Sequence, residues 1–160
     1  MQVLVLYFSK GGNTRKLAEC VARGVEEVEG VNVIMKNTSD VTKEDFLASQ
    51  GIIAGSPVYF GVMAADLKRI FDEFISVRKR MEGKVGAAFA TSGNLAGGIT
   101  TTMMSIIQAL LIYGMVVAGD PMSATGHYGA ASVGAPDEKA QDVAIKLGQR
   151  VAELVKKLFS

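Results

Sequence analysis

A chain of 160 residues with 17 Lys and Arg against 16 Asp and Glu, a formal net charge of +1, has room for one domain with its own core and not for two ordinary ones. A single domain over residues 1–160 is expected. Near-neutral charge gives no electrostatic support for a nucleic-acid or acidic-membrane partner, and one cysteine, Cys20, excludes an internal disulfide and any cysteine-built zinc or iron–sulfur site within one chain.

The chain opens on the apolar run "QVLVLYF", Gln2 to Phe8, a strand buried on both faces. No basic leader precedes it, which predicts a cytoplasmic protein. The strand leaves through "SKGGNT", Ser9 to Thr14, straight into a helix expected over Thr14 to Glu29. Two readings of this turn stand side by side. It can be a tight connection capped by Asn13 or Thr14, or an anion cradle made of hydroxyls, backbone N–H groups and a positive helix end. Cys20, at helical spacing with Leu17, Val21 and Gly24, reads as a buried structural thiol.

A second strand is expected at Val31 to Met35, a short helix after "DVTKEDF", and a third strand at Gly51 to Pro57. That strand runs into "SPVYFGVM", Ser56 to Met63, and a helix over Met63 to Arg80, whose "VRKR" decorates its carboxyl end. A fourth strand, Lys84 to Ser92, ends in "TSGNLAGG", followed by a helix over Thr100 to Tyr113, a fifth strand over Gly114 to Gly119 and a final helix from Pro136 to Phe159. The charge-free span Val85 to Gly119 is broken by Thr, Ser, Gly and Gln, so it reads as a buried strand plus a buried helix and not as a membrane segment. Asp120 to Ala135 is the longest expected loop.

Five apolar strands alternating with helices predict an α/β fold with a parallel sheet covered on both sides. Ligands of such sheets bind beyond the carboxyl ends of the strands, where this sequence concentrates glycines, small polar residues and the adjacent aromatics Tyr59 and Phe60. Together these describe a phosphate cradle beside a flat pocket; the bland reading of the aromatics is packing at a sheet edge. Neither G-x-x-x-x-G-K-[ST] nor G-x-G-x-x-G follows the first strand, which removes the best support for ATP or a dinucleotide. The acidic strand ends of a phosphoacceptor receiver are missing. A hydrolase drawn from Ser92, Asp120 and the lone His127 lacks a G-x-S-x-G elbow.

"YFSKGGNTRKLAE", "GSPVYFGVMAADLKRIFDEF", "TSGNLAGGITTTMMSIIQALLIYGMVV" and "HYGAASVGAPDE", in this order and spanning nearly the whole chain, resemble the flavodoxin-like flavoproteins. They most resemble the tryptophan-repressor-binding-protein family of NAD(P)H:quinone oxidoreductases. The resemblance implies a three-layer fold around a five-stranded parallel sheet of order 2-1-3-4-5, with FMN as cofactor. It implies that Ser9, Gly11, Gly12, Asn13 and Thr14 hold the FMN phosphate. Pro57, Val58, Tyr59, Phe60 and Gly61 would flank one side of the flavin ring, and Thr91, Ser92, Gly93, Asn94, Gly97 and Gly98 another. It also implies NAD(P)H as donor, a quinone or similar acceptor, and assembly as a dimer or tetramer. The chain departs from that pattern at Tyr59, where many members carry Arg, at Tyr113, where they often carry His, and in having no tryptophan-containing insertion. Tyr113, His127 and Tyr128 are the candidates for the wall where nicotinamide and quinone alternate; for His127 a solvent-facing loop position is the competing reading. The alternative function is a single-electron carrier. Carriers of the flavodoxin type are strongly acidic, whereas neither expected ring loop here, Pro57 to Val62 or Ser92 to Gly98, contains Asp or Glu, which favours two-electron chemistry.

Overall fold

A computed structural model describes residues 1–160. Strands β1 (Gln2–Tyr7), β2 (Asn32–Asn37), β3 (Gly51–Tyr59) and β5 (Val85–Ser92) form a parallel sheet in the order β2-β1-β3-β5. The two-residue β4 (Val62–Met63) folds back antiparallel on β3. The far edge of β5 is shared by β6 (Val116–Val117) and β7 (Gly129–Val133), both parallel to it. This is the flavodoxin-like arrangement with the fifth strand in two pieces.

The period-two rule decides which helix each strand residue meets. Val3, Val5, Tyr7, Ile53, Ala87 and Phe89 point to one face and form a core with α1 (Asn13–Glu26) and α5 (Glu138–Phe159). Leu4, Leu6, Ile52, Ala54, Ala88 and Ala90 point to the other, against α2 (Lys43–Ala48), α3 (Ala65–Glu73) and α4 (Ile99–Ile112). Both faces are covered, so the strands read as continuous apolar runs. Cys20 is buried in the first core, and burial pushes its thiol pKa up against the opposing pull of Arg23. No helix is long and apolar enough to cross a membrane.

Four expectations need correction. Helix α1 is capped by Gly12 in a left-handed conformation (φ 89°), not by the side chain of Asn13 or Thr14; a β-carbon would be strained there, so glycine takes the place of a side-chain cap. Helix α2 starts inside "DVTKEDF" because Thr42 and Asp45 form a reciprocal capping box. The helix expected from Met63 to Arg80 is preceded by β4, ends at Glu73 and passes into a 3₁₀ helix over Ile75–Met81. The fifth strand does not end at Gly119: the chain leaves the sheet after β6 and rejoins it as β7, inside the stretch expected to be a loop. Its carboxyl end therefore lies at Val133 and not at Gly119.

Lys84 is buried, and its Nζ donates to the carbonyls of Phe46 (3.1 Å) and Leu47 (2.8 Å), capping the carboxyl end of α2. Thr102 in the first turns of α4 is the opposite case, since its hydroxyl is fully buried and its Oγ1 has no partner. Thr102→Val keeps the shape and removes the orphaned group, so it is expected to raise the stability of the ligand-free protein by about 1 kcal/mol. A higher urea midpoint at unchanged slope would show this; a lower midpoint would mean that the hydroxyl is satisfied in solution.

Candidate functional site

The sheet order reverses between β1 and β3, and the carboxyl ends of β1, β3 and β5 open on one crevice. A cavity of about 200 Å³ there is lined by Lys10, Gly11, Asn13, Thr14, Pro57, Val58, Tyr59, Thr91, Ser92 and Gly93. The structure thus joins residues from three segments far apart in the chain. Lys10 was missed by sequence reasoning, although a lysine beside "GGNT" is the signal that could have found it.

Ser9 Oγ accepts from the amides of Gly12 (3.1 Å) and Arg15 (3.3 Å), leaving its own proton free to donate. The amides of Lys10, Gly11, Asn13 and Thr14 have no partner within the protein. A β-carbon added at Gly11 or Gly93 would meet no atom within 4 Å, so both positions face open space. Unpaired amides at a helix amino end, with a free hydroxyl and room in front of them, are what a phosphate monoester needs. Thr14 Oγ1 lies 2.8 Å from Thr91 Oγ1, a buried contact that ties the cradle to the β5 end.

The second wall is a hairpin that the sequence did not disclose. Val58 pairs with Met63 and Tyr59 with Val62, so Phe60 and Gly61 form the turn, both with positive φ (50° and 81°). That is the backbone twist a two-residue hairpin demands, and Phe60 is the one non-glycine residue with positive φ. Its ring is fully exposed at the tip, and Tyr59 is 39% exposed and stacked edge-on to Phe8 at 6.2 Å. Ser56 Oγ fixes the base of the hairpin, accepting from Ala64 N (2.8 Å) and donating to Pro57 O (2.7 Å), while Ser105 Oγ accepts from Met63 N (3.0 Å).

The third wall is the exposed turn Gly93 to Gly98, in which the Gly97 amide donates to Asn94 O (3.2 Å) and Ser92 Oγ donates to the same carbonyl. Gly98 caps α4 with φ 100°, and a β-carbon there would lie 2.9 Å from Gly61 Cα. The hairpin and this turn therefore touch backbone to backbone.

Electrostatics single out the same place. The amino end of α1 opens on the crevice and that of α4, at Ile99 and Thr100, on the neighbouring cavity at the β7 edge, and neither helix has an acidic residue in its first turn. The first turns of α2, α3 and α5 carry Glu44 and Asp45, Asp66, and Glu138. Acidic residues complement a helix amino end; α1 at the crevice and α4 beside it leave that positive end uncompensated.

The three candidate wall residues part company. Tyr113 is not in the crevice: it caps the far end of α4, about 21 Å of helix away from Gly98. It is 3% exposed and donates its hydroxyl to Phe71 O at 2.6 Å. Burial, reinforced by Asp72 against Arg78, pushes its pKa up to about 12, and it lines a separate cavity of about 650 Å³ with Val62, Met63 and Phe71. His127 and Tyr128 line a different cavity, of about 450 Å³, at the β7 edge together with Ile99, Thr100, Met103 and Lys139. That edge adjoins the third wall, because Val133 is the register partner of Ser92 and Gly134 N donates to Ser92 O at 2.8 Å.

The family description "NADPH-dependent FMN reductase" matches residues 1–130. An NAD(P)H dehydrogenase (quinone) from Archaeoglobus fulgidus is 35% identical, covering 98% of each chain. A flavodoxin from Aquifex aeolicus is 38% identical over 96% of this chain and 86% of its own. In fold, the chain superposes on the crystal structure of a flavodoxin, WrbA-like protein from Agrobacterium tumefaciens with a TM-score of 0.83, at 21% identity and 98% coverage of both chains.

Proposed function

The chain belongs to the NADPH-dependent FMN reductase family, and from that premise we propose that it is an FMN-dependent oxidoreductase carrying two electrons from NAD(P)H to a quinone. The observation that carries the proposal is the acid-free amino end of α1 opening on the crevice, with unpaired amides at its floor.

Ser9, Gly11, Gly12, Asn13 and Thr14 would bind the FMN phosphate through N–H groups and hydroxyls. Pro57 to Gly61 and Thr91 to Gly98 would orient the ring and exclude water from its two sides. When bound, FMN supplies the two-electron redox chemistry. The contribution of the chain would be electrostatic: with no Asp or Glu in either ring loop and the α4 amino end beside them, these residues would favour negative charge on a bound flavin. His127 and Tyr128 would wall the place where donor and acceptor alternate. The exposed Phe60 and Leu95 support completion of the site by a second copy, in a dimer or tetramer, and a lone buried thiol suits a reducing cytoplasm.

The 38% identity to a protein named flavodoxin favours a second reading, a single-electron carrier. Anaerobic absorbance of FMN-loaded protein separates the two. Bleaching by NADH or NADPH, reversed by quinone, is the expected result and names the donor. A flavin reduced by dithionite but by neither nicotinamide would favour the carrier.

A further inference from the structure

The interruption of the fifth strand is built, not accidental. Ala118 N donates to Gly86 O (2.8 Å), and Gly129 faces Ala88, so the excursion between them departs and returns within two positions of β5. Its stem is pinched at Gly119, where a β-carbon would lie 2.0 Å from His127 O.

The loop is organised around one carboxylate. Asp120 is 1% exposed. Its Oδ2 accepts from Thr125 N (3.0 Å), Thr125 Oγ1 (2.6 Å) and Gly126 N (2.8 Å), and its Oδ1 from His127 N (2.8 Å). Helix α5 holds the loop from below, with Arg150 Nη1 donating to Asp120 O (2.9 Å) and Lys146 Nζ to Ser123 O (3.3 Å). Burial raises the carboxyl pKa, but the Thr125 hydroxyl and the amides of His127, Thr125 and Gly126 outweigh it and hold the group below its ordinary range. Four donors on one buried carboxylate fix the backbone of residues 125 to 127, and with it His127 and Tyr128, which line the cavity at the β7 edge beside Thr125 itself. The loop rests on the first core through Ala124, and the carboxylate of Asp120 gathers the segment that follows it.

We infer that Asp120 is a positioning residue for substrate binding: by gathering the amides of residues 125 to 127 it holds His127 and Tyr128 as the wall of a quinone-binding cavity beside the flavin. This rests on the oxidoreductase reading above. Asp120 touches no substrate; it acts through the main chain, so its loss weakens binding of the quinone and spares FMN.

The test uses FMN-loaded protein labelled with 3-fluorotyrosine. Of the four tyrosines, Tyr7 and Tyr113 are buried references, Tyr59 reports on the flavin crevice and Tyr128 on the cavity; Tyr128→Phe assigns the last resonance. Tetramethyl-1,4-benzoquinone is the probe, its ring carbons blocked against thiols. The expected result is that the probe moves the Tyr128 resonance in the native protein. Asp120→Asn and Thr125→Val should then raise the midpoint of that titration, and the KM for the quinone, about tenfold. FMN affinity and kcat should stay within about twofold, and Thr125→Ser, which retains the hydroxyl, should behave as native. A response at Tyr59 with Tyr128 silent would overturn the assignment of the cavity. An unchanged midpoint in both Asp120→Asn and Thr125→Val would overturn the role of Asp120. Because the resonance reads binding, a native protein that binds the quinone without turning it over would count against the oxidoreductase reading alone.

Discussion

Gly148→Ala is expected to destabilise the protein by about 3 kcal/mol, the upper range for overpacking a tight contact. Helices α1 and α5 cover the same face of the sheet and meet at two glycines. A β-carbon at Gly148 would lie 2.1 Å from Val21 O and 3.0 Å from Val25 N, and one at Gly24 would lie 1.9 Å from Ile145 O. The obstructing atoms are main chain and cannot rotate aside, so the helices must move apart and loosen Val21, Val25, Leu147 and Val151, all in the core beneath them. Alanine favours a helix over glycine by about 1 kcal/mol, which predicts the opposite sign; the steric term is larger and decides. Thermal unfolding should shift down by about 10 °C in a chain of this length. Gly11→Ala is the control, because a β-carbon there meets nothing. A Gly148→Ala protein more stable than the parent would show that the two helices have room to spare, contrary to the packing described.

Gly11→Asp is expected to weaken FMN binding on the order of 100-fold, equivalent to about 3 kcal/mol, while leaving riboflavin affinity nearly unchanged. Space in front of Gly11 is open, so the side chain fits without strain. Its carboxylate then competes for the unpaired amides of Lys10, Gly11, Asn13 and Thr14 and repels a phosphate held within a few ångströms. The ligand-free protein should lose no stability and gain a few tenths of a kcal/mol, since an acidic group near the α1 amino end complements the dipole. Fluorescence quenching titrations with FMN and riboflavin read both effects. Equal losses for the two flavins would indicate a distorted crevice, and equal retention would place the phosphate elsewhere.

Both predictions begin from features legible in the sequence to different degrees. "SKGGNT" was readable as an anion cradle or a plain turn, because hydroxyls, glycines and the start of an amphipathic helix are local chemistry. The proposed cradle rests on the set of amides left unpaired, together with the arrival of Thr91 and Ser92 from β5. The hairpin at Phe60 and Gly61 was hidden because its two-residue return strand β4 is too short to show alternation, and because a bulky residue with positive φ contradicts local preference. The position of Tyr113 outside the crevice was hidden for a different reason. A tyrosine before Gly-Met looks the same whether its hydroxyl faces a ligand or the carbonyl of Phe71, a residue 42 positions away.

The sequence by itself determined the alternation of apolar strands and amphipathic helices, hence the layered parallel sheet and the strand ends beyond which ligands of such sheets bind, since those follow from the periodicity of side chains along each element. Tertiary structure alone decided where the fifth strand divides, which glycines are closed by another backbone, and that Asp120 is buried among donors five to seven residues ahead. The reason is physical. Periodicity and capping depend on neighbours within a few residues, whereas strand partnership, close approach and the cost of burying a charge depend on what the folded chain brings against each group.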